Sequence, residues 1–126
     1  MKSAGRKDLK LRTREFALQI VRLYTTLPRT TVAQVLGMQV LRSGTSVGAH
    51  YREGTRARSD AEFISKLEGA LQELEETAYW LELLLDAGVV TEAAVADAGR
   101  EAEELTAILI TCVRNVKERM GGRERR

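Results

Sequence analysis

A chain of 126 residues is long enough to bury one core, and its single cysteine excludes an intrachain disulfide or a cysteine-held metal. With 44% hydrophobic and 30% charged residues it reads as a globular protein of a reducing, cytoplasmic setting. No apolar run reaches the roughly 20 residues of a membrane span, and none forms a secretory h-region. The formal charge of +2 conceals a strong segregation: residues 1–58 hold 12 Lys/Arg against 3 Asp/Glu, residues 59–107 hold 2 against 13, and residues 108–126 hold 6 against 2. Such separation can order helices, attract a polyanion, or join subunits head to tail.

The pattern predicts four helices. The first spans about Thr13 to Leu27, with Thr13 as cap, Glu15 in the first turn, Phe16, Ile20, Leu23 and Leu27 on one face, and Pro28 as terminator. Residues 1–12 are expected to form a basic flexible tail. The second runs from Thr30 or Thr31 to about Glu53 on Leu36, Val40, Ser43, Val47 and Tyr51 or His50. Gly37, Gly44 and Gly48 each weaken it by up to ~1 kcal/mol, which suggests close approach of a neighbouring helix or a kink, with a backbone opened for a ligand as the alternative. The third opens on the box Ser59–Glu62 and closes at Gly88; its seam is Ile64, Leu67, Leu71, Leu74, Ala78, Leu81 and Leu85. The fourth opens on Thr91, follows Val95, Ala98, Ala102, Leu105, Leu109, Cys112 and Val116, and ends near Met120 before a second basic tail, 121–126. Short connections between long amphipathic helices favour an all-α, antiparallel up-down-up-down four-helix bundle over residues 13–120.

Three runs of residues carry a resemblance: S-V-x-A-x-Y-R-E-G at Ser46–Gly54, R-x-R-S-x-x-E-F-I-x-K-L at Arg56–Leu67, and A-L-x-E-L-E-E-T-x-Y-W-L-E-L-L at Ala70–Leu84. They resemble the four-helix-bundle proteins first met as reading frames in intervening sequences of bacterial large-subunit ribosomal RNA genes. That family is distantly similar to the accessory protein of diversity-generating retroelements, the nucleic-acid-binding partner of a reverse transcriptase. The resemblance implies a homo-oligomer, a pentameric ring, with no enzymatic activity. It also implies, by analogy, association with RNA or DNA or with an enzyme that acts on them. His50 stands where the family pattern often has asparagine.

The candidate phosphate-binding set is Arg42, Arg52, Arg56 and Arg58 with Lys7, Lys10, Arg12 and Arg14. The competing reading pairs these residues with the acidic third helix or with a neighbouring subunit. Aromatic interleaving is poor, and no helix-turn-helix or zinc-finger pattern appears, so sequence-specific readout is not expected. Glu68, Glu73, Glu75, Glu76 and Glu82 lack the Glu-x-x-His spacing of di-iron bundles and read as a solvated face or as ion-pair partners. No catalytic residue, metal ligand or cofactor is expected. Cys112 reads as a buried small apolar residue. Phe63, Tyr79, Trp80, Leu83 and Leu84, with His50 and Tyr51, exceed what one core stripe needs and mark a candidate subunit interface. The expected function is therefore a non-enzymatic oligomeric scaffold associated with nucleic acid. The alternative is a protein-interaction module whose basic residues serve assembly alone.

Overall fold

In the computed structural model, which describes the backbone of residues 2–124 and the side chains of residues 9–122, the protein is all helix. The four helices are α1 (Lys2–Thr26), α2 (Thr31–Thr55), α3 (Asp60–Asp86) and α4 (Glu92–Glu124). Consecutive helices pack side by side, and α4 returns against α1, while the diagonal pairs do not meet. This is the up-down-up-down bundle. Its core runs through Phe16, Ile20, Val40, Val47, Leu67, Leu74, Leu84, Leu105 and Leu109, all essentially inaccessible to solvent.

Local chemistry sets the helix ends. The Thr30 hydroxyl accepts from the Ala33 amide, and Ser59 accepts from Glu62 N at 3.1 Å. The expected box at α3 is displaced by one residue: the Glu62 carboxylate takes the amide of Arg58, at 3.3 Å, instead of that of Ser59. Gly88, at φ 73°, follows the end of α3 in the left-handed region that glycine adopts without steric cost. Thr91 caps α4 through the Ala94 amide.

Four expectations need correction. First, α1 does not begin at Thr13. Leu9 is buried and extends the Phe16–Ile20–Leu23 stripe by two turns, and the Thr13 hydroxyl donates back to the Leu9 carbonyl at 2.8 Å. Residues expected in a tail are therefore helical. Second, the buried seam of α3 is Ile64, Leu67, Ala70, Leu74, Thr77, Leu81 and Leu84; Leu71 and Leu85 are half-buried and Ala78 is exposed. The cause is a polar contact in the core. The Thr77 hydroxyl lies 2.7 Å from the Glu73 carbonyl and 2.8 Å from the hydroxyl of Ser43 on α2, so a satisfied threonine takes an inward position. Third, Val113 rather than Cys112 occupies the α4 seam, and Cys112 is half-buried. Fourth, α4 continues through Gly121 and Gly122 to Glu124.

Gly37, Gly44 and Gly48 of α2 lie against α1. A Cβ added at Gly44 would stand 2.7 Å from Ile20 Cγ1, and one at Gly48 3.1 Å from Thr13 Oγ1. Ile20 is fully buried and β-branched, so it has no room to yield. Gly44→Ala should therefore lower stability by about 1–2 kcal/mol, overpacking outweighing the gain in helix propensity. Gly99→Ala on α4, where nothing lies within 4 Å, should raise it by about 0.5–1 kcal/mol. Thermal denaturation of the two variants gives shifts of opposite sign if close packing, not helix propensity, governs α2.

Candidate functional site

The antiparallel topology gathers the basic parts of the chain. The start of α1, the end of α2, the start of α3 and the end of α4 share one end of the bundle, a register marked by Lys66–Glu53 at 3.0 Å and Arg119–Asp60 at 3.3 Å. Arg52, in the last turn of α2, and Arg56 and Arg58, in the connection to α3, are exposed there. Among the described residues none of the three makes an ion pair. Lys10 and Arg14 are exposed on α1 toward the same end. Lys7 lies outside the residues whose side chains are described. Arg114, Lys117 and Arg119 of α4 join this end; Lys117 is paired with Glu68 at 3.3 Å. The sequence reading missed these three because position in the chain does not reveal that the last helix returns to the first.

Two members of the expected basic set are already engaged. Arg12 grips Glu101 through two guanidinium nitrogens, at 2.7 and 3.0 Å, and reaches Glu104 at 3.2 Å. Its proton affinity is pushed up, chiefly by the hydrogen bond to Glu101. Arg42 pairs with Glu76, and with Glu73 at 3.3 Å. The hydrogen bond that Arg42 donates to Glu76 is the main cause raising its pKa. For these two the ion-pair reading holds, although Arg12 pairs with α4 and not α3. Glu73 also lies 3.7 Å from His50 Nε2, while His50 Nδ1 rests against the backbone of Gly69 without a hydrogen-bond partner. The Glu53 carboxyl is held below the usual glutamate range by its hydrogen bond to Lys66. Among the described residues no three of His, Cys, Asp and Glu gather as metal ligands would.

The expected subunit-interface residues divide. Leu84 and Tyr51 belong to the core: Leu84 takes the inward α3 position beside Thr77, and Tyr51 continues the Val40–Val47 stripe. Phe63, Trp80, Leu83 and His50 are half-buried, and Tyr79 is 53% exposed. Tyr79 meets Trp80 edge-on, with ring centroids 5.0 Å apart. The indole N–H of Trp80 is shut away from solvent and meets no acceptor among the described residues. The sequence reading missed Val32, Val35 and Met38 on the outward side of α2, each more than half exposed. Counted in antiparallel register from the Ser43–Thr77 contact, Met38 stands level with Glu82, Val35 with Leu85 and Val32 with Gly88, toward the C-terminal end of α3. Val32, Val35 and Met38, with Tyr79, are large apolar side chains left exposed on the outward side of α2 and α3. No helix among the described residues is long and apolar enough to cross a membrane.

Residues 8–111 match the family described as the 23S rRNA-intervening sequence protein. The chain belongs to this family. A protein with unknown function from the S23 ribosomal protein family of Bacteroides thetaiotaomicron VPI-5482, known from a crystal structure at 1.70 Å resolution, is 41% identical. It superposes with a TM-score of 0.79, over 83% of this chain and 97% of that one. No curated protein matches. The matched span includes the three sequence runs at Ser46–Leu84, which carry Thr77, the arginine-bearing α2–α3 connection and the Tyr79–Trp80 pair.

The Arg12 pair is half-exposed, so its worth is modest. Arg12→Gln should cost about 0.5–1 kcal/mol at low ionic strength. The loss should shrink as salt screens the remaining charges. Thermal denaturation at 50 and 500 mM salt reads both effects.

Proposed function

We propose that this protein is a non-enzymatic, homo-oligomeric accessory of nucleic acid, binding phosphates through the basic end of its bundle. The observation that carries the reading is the convergence of exposed Arg52, Arg56 and Arg58 with the basic segments of α1 and α4 on one end, where they outnumber the acids Asp60 and Glu62 of the first turn of α3. Guanidinium groups held at a helix end suit phosphate oxygens and carry no base code. Poor aromatic coverage argues in the same direction, for backbone contact over base stacking. The family takes its name from intervening sequences of 23S ribosomal RNA, which makes RNA the first polyanion to try.

A second reading, a protein-interaction module, is favoured by the apolar surface around Trp80 and by the intrachain pairing of Arg12 and Arg42. One experiment separates the two. Fluorescence anisotropy with a labelled RNA duplex and a single strand, over a salt series, should show saturable binding whose affinity falls steeply with salt. Replacing Arg52, Arg56 and Arg58 together by alanine should weaken binding at least tenfold and flatten the log–log salt slope by about 2–3. Arg42→Ala, by contrast, should leave the slope unchanged, because that guanidinium is occupied by Glu73 and Glu76. No saturable binding at 50 mM salt would overturn the phosphate reading and leave the interaction module.

A further inference from the structure

Across several seams of this bundle a cation meets an acid. Arg12 of α1 meets Glu101 and Glu104 of α4, Arg42 of α2 meets Glu73 and Glu76 of α3, and Lys117 of α4 meets Glu68 of α3. The outer edge of the α1–α2 seam breaks the pattern. Its register is marked at two points: the Tyr24 hydroxyl lies 3.5 Å from Met38 Sδ, and a Cβ on Gly48 would stand 3.1 Å from Thr13 Oγ1. Two heptads from the first point, back along α1 and onward along α2, stand Lys10 and Arg52. Antiparallel helices in that register keep the two level, on the edge that Tyr24 and Met38 share. A cation therefore stands opposite a cation. Both are exposed, and among the described residues neither makes an ion pair. The nearby acids are turned to other uses: Glu53 is held by Lys66 at 3.0 Å, and Glu15 follows Arg12 by one turn, on the side of α1 toward α4.

We infer that Lys10 and Arg52 are the two jaws of a clamp for one phosphate of a nucleic-acid strand. This rests on the phosphate reading above and specifies it, by naming the seam on which the backbone lies. Like charges set level across a seam repel each other in the empty protein, and the repulsion is relieved when an anion lies between them. Arg14, one turn on along α1, and Arg56, one turn on along α2, flank the clamp on its two sides, each about 6 Å away along the bundle axis. Both are exposed and, among the described residues, without an ion pair. The three levels make a straight row suited to successive phosphates of one extended strand. Exposed Ala49 and half-buried Thr45 keep the α2 side of this edge low, so a backbone can come within reach of both jaws. Farther along α2 the next base, Arg42, is already occupied by Glu73 and Glu76, and the row ends.

A double-mutant cycle on the full chain tests the clamp. Affinity for a labelled single-stranded oligouridylate is read by fluorescence anisotropy at 50 mM salt, and circular dichroism checks that every variant is folded. Lys10→Gln and Arg52→Gln should each weaken binding about five- to tenfold, the worth of one phosphate contact at that salt. The double variant should bind no more than about twofold more weakly than either single one, because both side chains hold the same phosphate. Arg22→Gln removes the same charge from α1, two turns beyond Arg14, and should change the affinity by less than about twofold. Without oligonucleotide, Lys10→Gln should raise the melting temperature by about 1–2 °C at 50 mM salt by removing a like-charge opposition. That rise should vanish at 500 mM salt. Losses that multiply in the double variant, an equal loss in Arg22→Gln, or a melting temperature that falls in Lys10→Gln would overturn the clamp and leave phosphate binding at this end standing. A wild type that shows no saturable binding would overturn the phosphate reading, and the clamp with it.

Discussion

The close approach of α2 to both of its neighbours governs the rest of the molecule. On the α1 side, Gly44 and Gly48 leave no room for a methyl group beside Ile20 and Thr13. On the α3 side, Ser43 and Thr77 meet through hydroxyls, and a Cβ on Gly54 would stand 2.6 Å from Leu67 Cδ1. Small side chains at these points let three helices lie nearly backbone to backbone, where the loss of helix propensity is offset by dispersion and burial among the large residues around them. Such contacts also fix axial register, because a glycine can face only one partner residue at that distance. Register then decides which charges and which apolar groups share a level of the bundle.

Two consequences follow from it. Arg42 stands beside Glu73 and Glu76, and Arg12 beside Glu101 and Glu104, so a chain with strongly segregated charge cancels part of it across helix boundaries. What remains uncancelled is concentrated at the end where α2 passes into α3. The same register sets Met38 level with Glu82 and Val35 level with Leu85, one to two turns beyond Tyr79 and Trp80. The exposed apolar groups are thus divided between the two helices.

Much of the architecture was legible in the sequence. Four stripes, the capping residues Ser59 and Thr91, the stop at Gly88 and the close approach at the α2 glycines all follow from local rules, and the structure bears them out. What could not be read is which residue lies at the centre of a stripe. For α3, the series through Leu71, Ala78 and Leu85 and the series through Ala70, Thr77 and Leu84 both keep heptad spacing. Hydropathy favours the first. The second is buried because a hydroxyl on α2 satisfies Thr77, and that partner is 34 residues away. The same limit explains Cys112 and Val113, adjacent residues on one edge of α4. At Thr13 the error was of another sort: a threonine can cap a helix or bond to the carbonyl four residues back, and only the apolar Leu9 ahead of it tells which. For the candidate site, the arginines of the α2–α3 connection were found from the sequence, whereas the α4 contribution and the Val32–Val35–Met38 surface needed the packing of whole helices.

The two proposed surfaces occupy different parts of the bundle, and this separation has a physical use. The arginines proposed to bind phosphate sit at one end, while the exposed apolar side chains of α2 and α3 run along the sides. Side-to-side contact between copies would leave the ends uncovered and would place every basic end on the same rim if the copies are related by rotation about a common axis. A few exposed arginines bind a polyanion weakly, since each neutralised phosphate adds only a small salt-dependent increment. Several copies held on one rim act on a single strand with an effective concentration set by their spacing, which raises avidity without any new contact. Apolar contact along the helices and charge at their ends would then be two parts of one device. Assembly of this proposed kind would convert a small electrostatic patch into a larger, multivalent one.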